Sequence, residues 1–252
     1  MNKEQLDEYR DFAKEKLGID FNNIQLFIDA LTHRSYVNEH RKIAPEHNER
    51  LEFLGDAVLE LVTSDFLYRN YDEPEGIMTS WRAALVNTEA NAIVSEHLGF
   101  EPLIRLSKGE QNGSDRARHV IMADCYEAII GAIYVDQGYA CAEKFITKNS
   151  LSRIDEILES ESWRDAKSYL QEISQKIDGE TPIYRVIKED GPDHDKTFTL
   201  GVFIGNHLKG TGVGHSKQEA QVKAASEAIR NYKKSHPEET KNKYSKIRQG
   251  KS

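Results

Sequence analysis

The chain has 252 residues, long enough for one large domain or two ordinary ones, with a formal net charge of -8. No stretch approaches the roughly 18 consecutive apolar residues of a membrane span, and the opening MNKEQLDEYRDFAKEK lacks the apolar segment of a secretory signal, so a soluble, cytoplasmic protein is expected. Cys125 and Cys141 lack metal-type spacing and sit among apolar or small residues, which predicts buried reduced thiols and argues against cysteine catalysis.

In chain order, FNNIQLFIDALTHRSYV has apolar residues at three- and four-residue spacing, and HNERLEFLGDAVLEL, SWRAALVNTEANAIVSEHL and HVIMADCYEAIIGAIYVD follow with the same period. No sustained period-two alternation interrupts them, so the first part reads as an all-α domain. YDEPEG at 71–76 and the polar SKGEQNGSDRAR at 107–118 break it, the latter read as a mobile loop. AEKFITKNSLSRIDEILES then leads to a linker expected around Glu161 and Ser162. Beyond it, DAKSYLQEISQKI reads as a helix, IYRVIKE and KTFTLGVFI as strands, GN as a hairpin turn, and HLKGTGVG as a third short strand entering a glycine-rich loop. HSKQEAQVKAASEAIRNY closes as a helix, with Ser216 and Glu219 in a capping-box pattern. The order α-β-β-β-α is that of a small two-layer domain. The expected division is 1–162, 163–235, and a basic tail at 236–252 with too little apolar content to fold alone.

Charge is unevenly spread. Residues 1–162 carry about -13 and residues 163–252 about +5, so the net figure does not exclude a nucleic-acid partner for the second part. In HNERLEFLGDAVLEL, at about 100° per residue, Glu49, Glu52, Asp56 and Glu60 fall at roughly 0°, 300°, 340° and 20° on one anionic stripe. The opposite arc, Leu51, Leu54, Ala57, Val58, Leu61 and Val62, reads as core-facing. By itself the stripe is most simply a solvated face. A second acidic pair, Asp124 and Glu127 at i, i+3, lies on a helix whose Ala123, Ala128, Gly131 and Ala132 imply close packing against a neighbour. Carboxylates in that setting need a cation. A divalent ion, with carboxylate and phosphate oxygens as ligands, and a structural network using Arg34, Arg50 and Arg82 are both open on chemistry alone.

NERLEFLGDAVLEL closely resembles the signature of the ribonuclease III family of bacteria, and ADCYEAIIGAIYVD resembles its second acidic segment. ALTHRSY, EGIMTSWRAALVN and LSKGE agree. Beyond Ser162, YLQEISQK, GPDHDKTF and GTGVGHSKQEA resemble a double-stranded-RNA-binding domain. The resemblance covers about residues 15–232. It implies an all-α endonuclease domain followed by an α-β-β-β-α RNA-binding domain, and a cytoplasmic homodimer. The implied activity is Mg²⁺-dependent hydrolysis of double-stranded RNA to 5′-phosphate and 3′-hydroxyl ends, with Mn²⁺ able to substitute. The implied substrates are ribosomal RNA precursors and some messenger and transfer RNAs. Glu52, Asp56, Asp124 and Glu127 match the metal cluster, Asp56 and Glu127 being indispensable to hydrolysis. Glu49 matches a position of RNA or dimer contact, Glu75 an acid at the dimer side of the cleft, and Glu60 nothing functional. Gln171, His194, Ser216 and Lys217 match RNA contacts, reached through two minor grooves and the phosphates between them. Gln218 stands where the family usually has a second lysine, which implies one phosphate contact fewer. The rival class is a duplex-RNA binder on an inactive nuclease fold. The intact acids argue against it, and the 2′-hydroxyl-reading domain disfavours DNA as substrate.

Overall fold

Two glycines let the two longest helices of the chain touch. A computed structural model describes residues 3–40, 46–192 and 195–244. It divides into two compact units, one ending at Ile157 and the other beginning at Leu158.

In the first unit the described helices are α1 (Lys3–Phe12), α2 (Ile24–Ala30), α3 (Arg34–His40), α4 (Glu49–Asn70), α5 (Glu75–Val86), α6 (Thr88–Leu98), α7 (Asp115–Gln137), α8 (Tyr139–Asn149) and α9 (Ile154–Ser160), the last running across the division. The only strand-like pairing among its described residues is an isolated bridge between Thr32 and Arg105. At the centre, α7 packs against α4 and α6. A Cβ on Gly55 would lie 1.7 Å from the Glu127 carbonyl oxygen, and one on Gly131 would lie 2.1 Å from that of Leu51. Only hydrogen fits at either position, so α4 and α7 meet backbone to backbone. Around the crossing Val58, Leu59, Val62, Ile129, Ile130 and Ile133 are buried.

Several predicted runs are cut by caps. FNNIQLFIDALTHRSYV is two helices, α2 and α3, the first capped by the Asn23 side chain accepting from the Gln25 N–H at 3.2 Å. SWRAALVNTEANAIVSEHL is likewise α5 and α6. Asn87 between them caps α6, its side-chain oxygen accepting from Ala90 at 2.8 Å. The loop expected at 107–118 is partly helical, since α7 starts at Asp115, capped by Ser114, and Ser107 is buried. Of the cysteines, Cys125 is buried as expected, and burial pushes its thiol pKa up. Cys141 is half-buried rather than buried, its thiol against the Gln137 side-chain oxygen at 3.2 Å.

The second unit contains α10 (Ala166–Ile177), the antiparallel sheet β1 (Ile183–Asp190), β2 (Thr197–Ile204), β3 (His207–Gly214) in that order, and α11 (Lys217–Ser235). Leu170, Ile173, Val202, Ile204, Ala224, Ala225, Ala228, Ile229 and Tyr232 form its core. The GTGVG segment is strand, not loop. Its alternate glycines face the alanines of α11, and a Cβ on Gly212 would lie 2.2 Å from the Ala220 carbonyl oxygen. The linker expected at Glu161 is also packed. The Glu161 side chain is 3% exposed, paired with Arg164 at 3.3 Å and with Lys233. The tail expected from residue 236 is anchored at some positions of its described part, 236–244, and exposed at others. Tyr244 is buried with its ring 5.5 Å from that of Trp163, and the Asn242 amide donates to the Leu158 carbonyl at 2.7 Å. One added aromatic anchor supplies the apolar area that the composition of this segment lacks.

Candidate active site

α4 and α7 each bring a pair of acids to their crossing. Glu52 and Asp56 are one turn apart on α4 and flank Gly55, whereas Asp124 and Glu127 are one turn apart on α7. The glycine contact presses Gly55 against the backbone of Glu127 itself, so the two pairs share one local field. Burial, then Asp124, Glu49 and Asp56, push the Glu52 pKa up to about 7. Burial and Asp56, followed by Asp124 and Glu52, push that of Glu127 up to about 8, against the lowering effect of a hydrogen bond from Asn91. Burial and Glu49 raise Asp124 as well. Each shift has the same origin. A carboxylate removed from water beside other carboxylates resists ionisation until positive charge arrives.

The arginine network foreseen as the rival reading exists, but at the ends of the stripe. Arg34 pairs with Glu49 at 3.0 Å, with His47 3.9 Å away on the same carboxylate. Arg82 on α5 pairs with Glu60 at 3.0 Å and donates to the Ser64 hydroxyl at 2.9 Å. Glu60 is therefore a tether between α4 and α5 rather than a plain wet surface acid. Among the described residues no ion pair reaches Glu52, Asp56, Asp124 or Glu127. Nor do three or more His, Cys, Asp or Glu side chains stand gathered as a ready metal cage. The donor set is nevertheless all oxygen, anionic and short of positive charge, which is the chemistry a hard divalent cation fits.

The arc of α4 expected to face the core is only partly buried. Val58 and Val62 are in the core, but Leu61 is 57% exposed, and Phe53 and Tyr68 are 81% and 77% exposed. The helix is apolar on two sides, and one of them faces outward. Glu75 is exposed at the first position of α5.

In the second unit, Gln171 and Gln218 line one groove of about 370 Å³ together with Ser168 and Tyr184. Ser216 caps α11 by accepting from the Glu219 N–H at 3.1 Å, and Glu219 accepts in turn from the His215 N–H at 2.9 Å. The box closes one residue earlier than the pattern specifies. Lys217 is held by Glu189 at 3.4 Å. His194 lies outside the described residues.

Comparison with known proteins now decides the family. A family model described as ribonuclease-III-like matches residues 23–154, and one for the double-stranded RNA binding motif matches residues 166–232. The chain belongs to the ribonuclease III family. It is a double-strand-specific endoribonuclease, with a helical nuclease domain followed by a double-stranded-RNA-binding domain. It is 43% identical over 224 residues to Ribonuclease 3 of Desulforamulus reducens, covering 88% of this chain and 91% of that one. Ribonuclease 3 of Oceanobacillus iheyensis is 45% identical over 217 residues, covering 86% of this chain and 95% of that one. A solved nuclease domain of ribonuclease III from Campylobacter jejuni is 37% identical, with a TM-score of 0.49 over 59% of this chain and 98% of that one. No described helix of this family member is long and apolar enough to cross a membrane.

The residue that sequence reasoning missed is Asn91 on α6. It is fully buried and donates from its amide to Glu127 Oε1 at 2.8 Å. An asparagine inside the apolar stretch NAIV was the available signal.

Proposed function

We propose that the nuclease centre is the crossing of α4 and α7, where Glu52, Asp56, Asp124 and Glu127 hold Mg²⁺, with Mn²⁺ able to substitute. The observation that carries the reading is the absence of any described cation partner for these four acids while their neighbours Glu49 and Glu60 both have arginines. An ion held by these four residues would supply positive charge for the scissile phosphate and an activated water for in-line displacement, with 5′-phosphate and 3′-hydroxyl ends as the products. Asp56 adjoins Gly55 at the contact with Glu127 and is the acid that acts most strongly on the Glu127 carboxyl, and these two are the acids hydrolysis needs most. Without the ion the cleft repels phosphate, so cleavage requires the metal.

The second domain supplies duplex affinity through Gln171, Ser216, Lys217 and His194. Lys217 exchanges Glu189 for a backbone phosphate on binding, and Gln218 beside Gln171 meets the minor-groove side of the duplex rather than a phosphate. The exposed side of α4, with Phe53, Leu61 and Tyr68, supports a homodimer, because so much outward apolar surface on one helix calls for a cover and a second copy presents the same helix. The substrates are ribosomal RNA precursors and structured messenger and transfer RNAs in the cytoplasm.

Glu127→Gln tests the centre. The variant should bind duplex RNA with parental affinity and show no Mg²⁺-dependent cutting. A Glu127→Gln variant that keeps parental Mg²⁺-dependent cutting would overturn this assignment of the centre.

A further inference from the structure

We infer that Asn91 is a positioning residue of the nuclease centre, fixing the orientation of the Glu127 carboxylate from which it would hold the metal; the inference rests on the reading of that centre given above. Asn91 is 0% exposed, on α6, which packs against α7. Its Nδ2 donates twice, to Glu127 Oε1 at 2.8 Å and to the Val86 carbonyl at 3.1 Å. The Val86 carbonyl can only accept, so the amide nitrogen is the end that faces it, and both of its hydrogens are used. Its other end, Oδ1, is buried with no hydrogen-bond partner.

That orphaned oxygen is the informative part. A buried amide with one end unpaired costs stability that an apolar side chain of similar volume would not. Packing therefore does not account for asparagine here, and the bond to Glu127 does. Glu127 is gripped at two points. Its backbone carbonyl is pinned by the Gly55 contact and one carboxylate oxygen by Asn91, so neither main chain nor side chain is free to swing. The support is itself braced. One turn along α6, the Ser95 hydroxyl lies 2.8 Å from the Asn91 carbonyl and 2.9 Å from the Met122 carbonyl on α7, its one proton shared between the two acceptors. A hydrogen-bond donor behind a metal-ligating carboxylate orients it, and loss of such a donor costs about 10- to 100-fold in metal affinity or activity.

The test is a double-mutant cycle read by metal binding as well as by cleavage. Mg²⁺ affinity of the metal-stripped full chain is measured calorimetrically without RNA for the parent, Asn91→Leu, Glu127→Gln and the double variant. Asn91→Leu should weaken Mg²⁺ binding about 10-fold or more and lower kcat at limiting Mg²⁺. KM for duplex RNA should stay unchanged, and the melting temperature in chelator should be no lower than the parent's. In the Glu127→Gln background the same change should add nothing. Asn91→Ser, too short to bridge to Glu127, should reproduce the Mg²⁺ defect if the leucine variant folds poorly. Parental Mg²⁺ affinity in Asn91→Leu or Asn91→Ser, alongside weakened binding in Glu127→Gln, would overturn the inference and leave the centre intact. Unchanged binding in Glu127→Gln would overturn both.

Discussion

The two ends of the α4 acidic stripe and its middle are built to opposite rules. Glu49 and Glu60 each meet an arginine at 3.0 Å, and their charge is balanced within the protein. Glu52 and Asp56, between them, have no such partner among the described residues and instead face two more acids across the contact with α7. The difference teaches that a carboxylate's environment, and not its position on a helix face, separates a structural acid from a functional one. Balanced acids can serve as tethers. Acids left unbalanced are held ready for a cation from outside.

The contrast breaks most severely at the middle. Asp56→Asn should cut single-turnover cleavage by about a hundred- to a thousandfold, because several kcal/mol of metal-mediated charge stabilisation is lost, while duplex binding in a gel-shift assay is retained. Next comes the contact that brings the pairs together. Gly131→Ala forces a methyl into the Leu51 carbonyl and should destabilise by about 1–3 kcal/mol or more in chemical denaturation, with Mg²⁺ affinity falling in parallel.

A smaller effect follows from pH. The folded-state pKa values of Glu52 and Glu127 lie above the ordinary glutamate value, at about 7 and about 8. Their contribution to stability is therefore fully present below the ordinary glutamate value and is lost as pH rises from there through the folded-state values, since ionisation is easier in the unfolded chain. In chelator, the melting temperature should fall from about pH 4.5 to about pH 8 and level off above that. Mg²⁺ should restore more of it at the upper end, and Glu127→Gln should flatten the dependence.

The smallest effect belongs to the ends. Glu60→Ala or Arg82→Ala should shift stability by no more than about 1 kcal/mol, as expected of a half-exposed pair, and leave kcat unchanged. A large loss of cleavage in either would erase the distinction between the ends and the middle.

How much of this was legible in the sequence varies residue by residue. The spacing of Glu52, Asp56, Asp124 and Glu127, with glycine and alanine beside them, already implied two acidic helix faces in close contact. The role of Glu60 did not follow, because Arg82 lies on another helix and nothing local marks it as a partner. Asn87 divides two helices that apolar periodicity alone runs together, since a cap acts through one side-chain oxygen and leaves no periodic trace. The alternate glycines of β3 were read as a loop because strand propensity scores glycine poorly; the alanine face of α11 is what makes them strand.

By itself the sequence determined the elements, their amphipathic faces and the acids that could act together, because helix and strand periods are local properties of the chain. Only the tertiary structure decided which acids meet an arginine and which have no cation partner among the described residues, that Asn91 stands behind Glu127 from 36 positions away, and that one apolar side of α4 faces outward. Those outcomes depend on which distant residues come within a few ångströms of each other, and no local pattern encodes that.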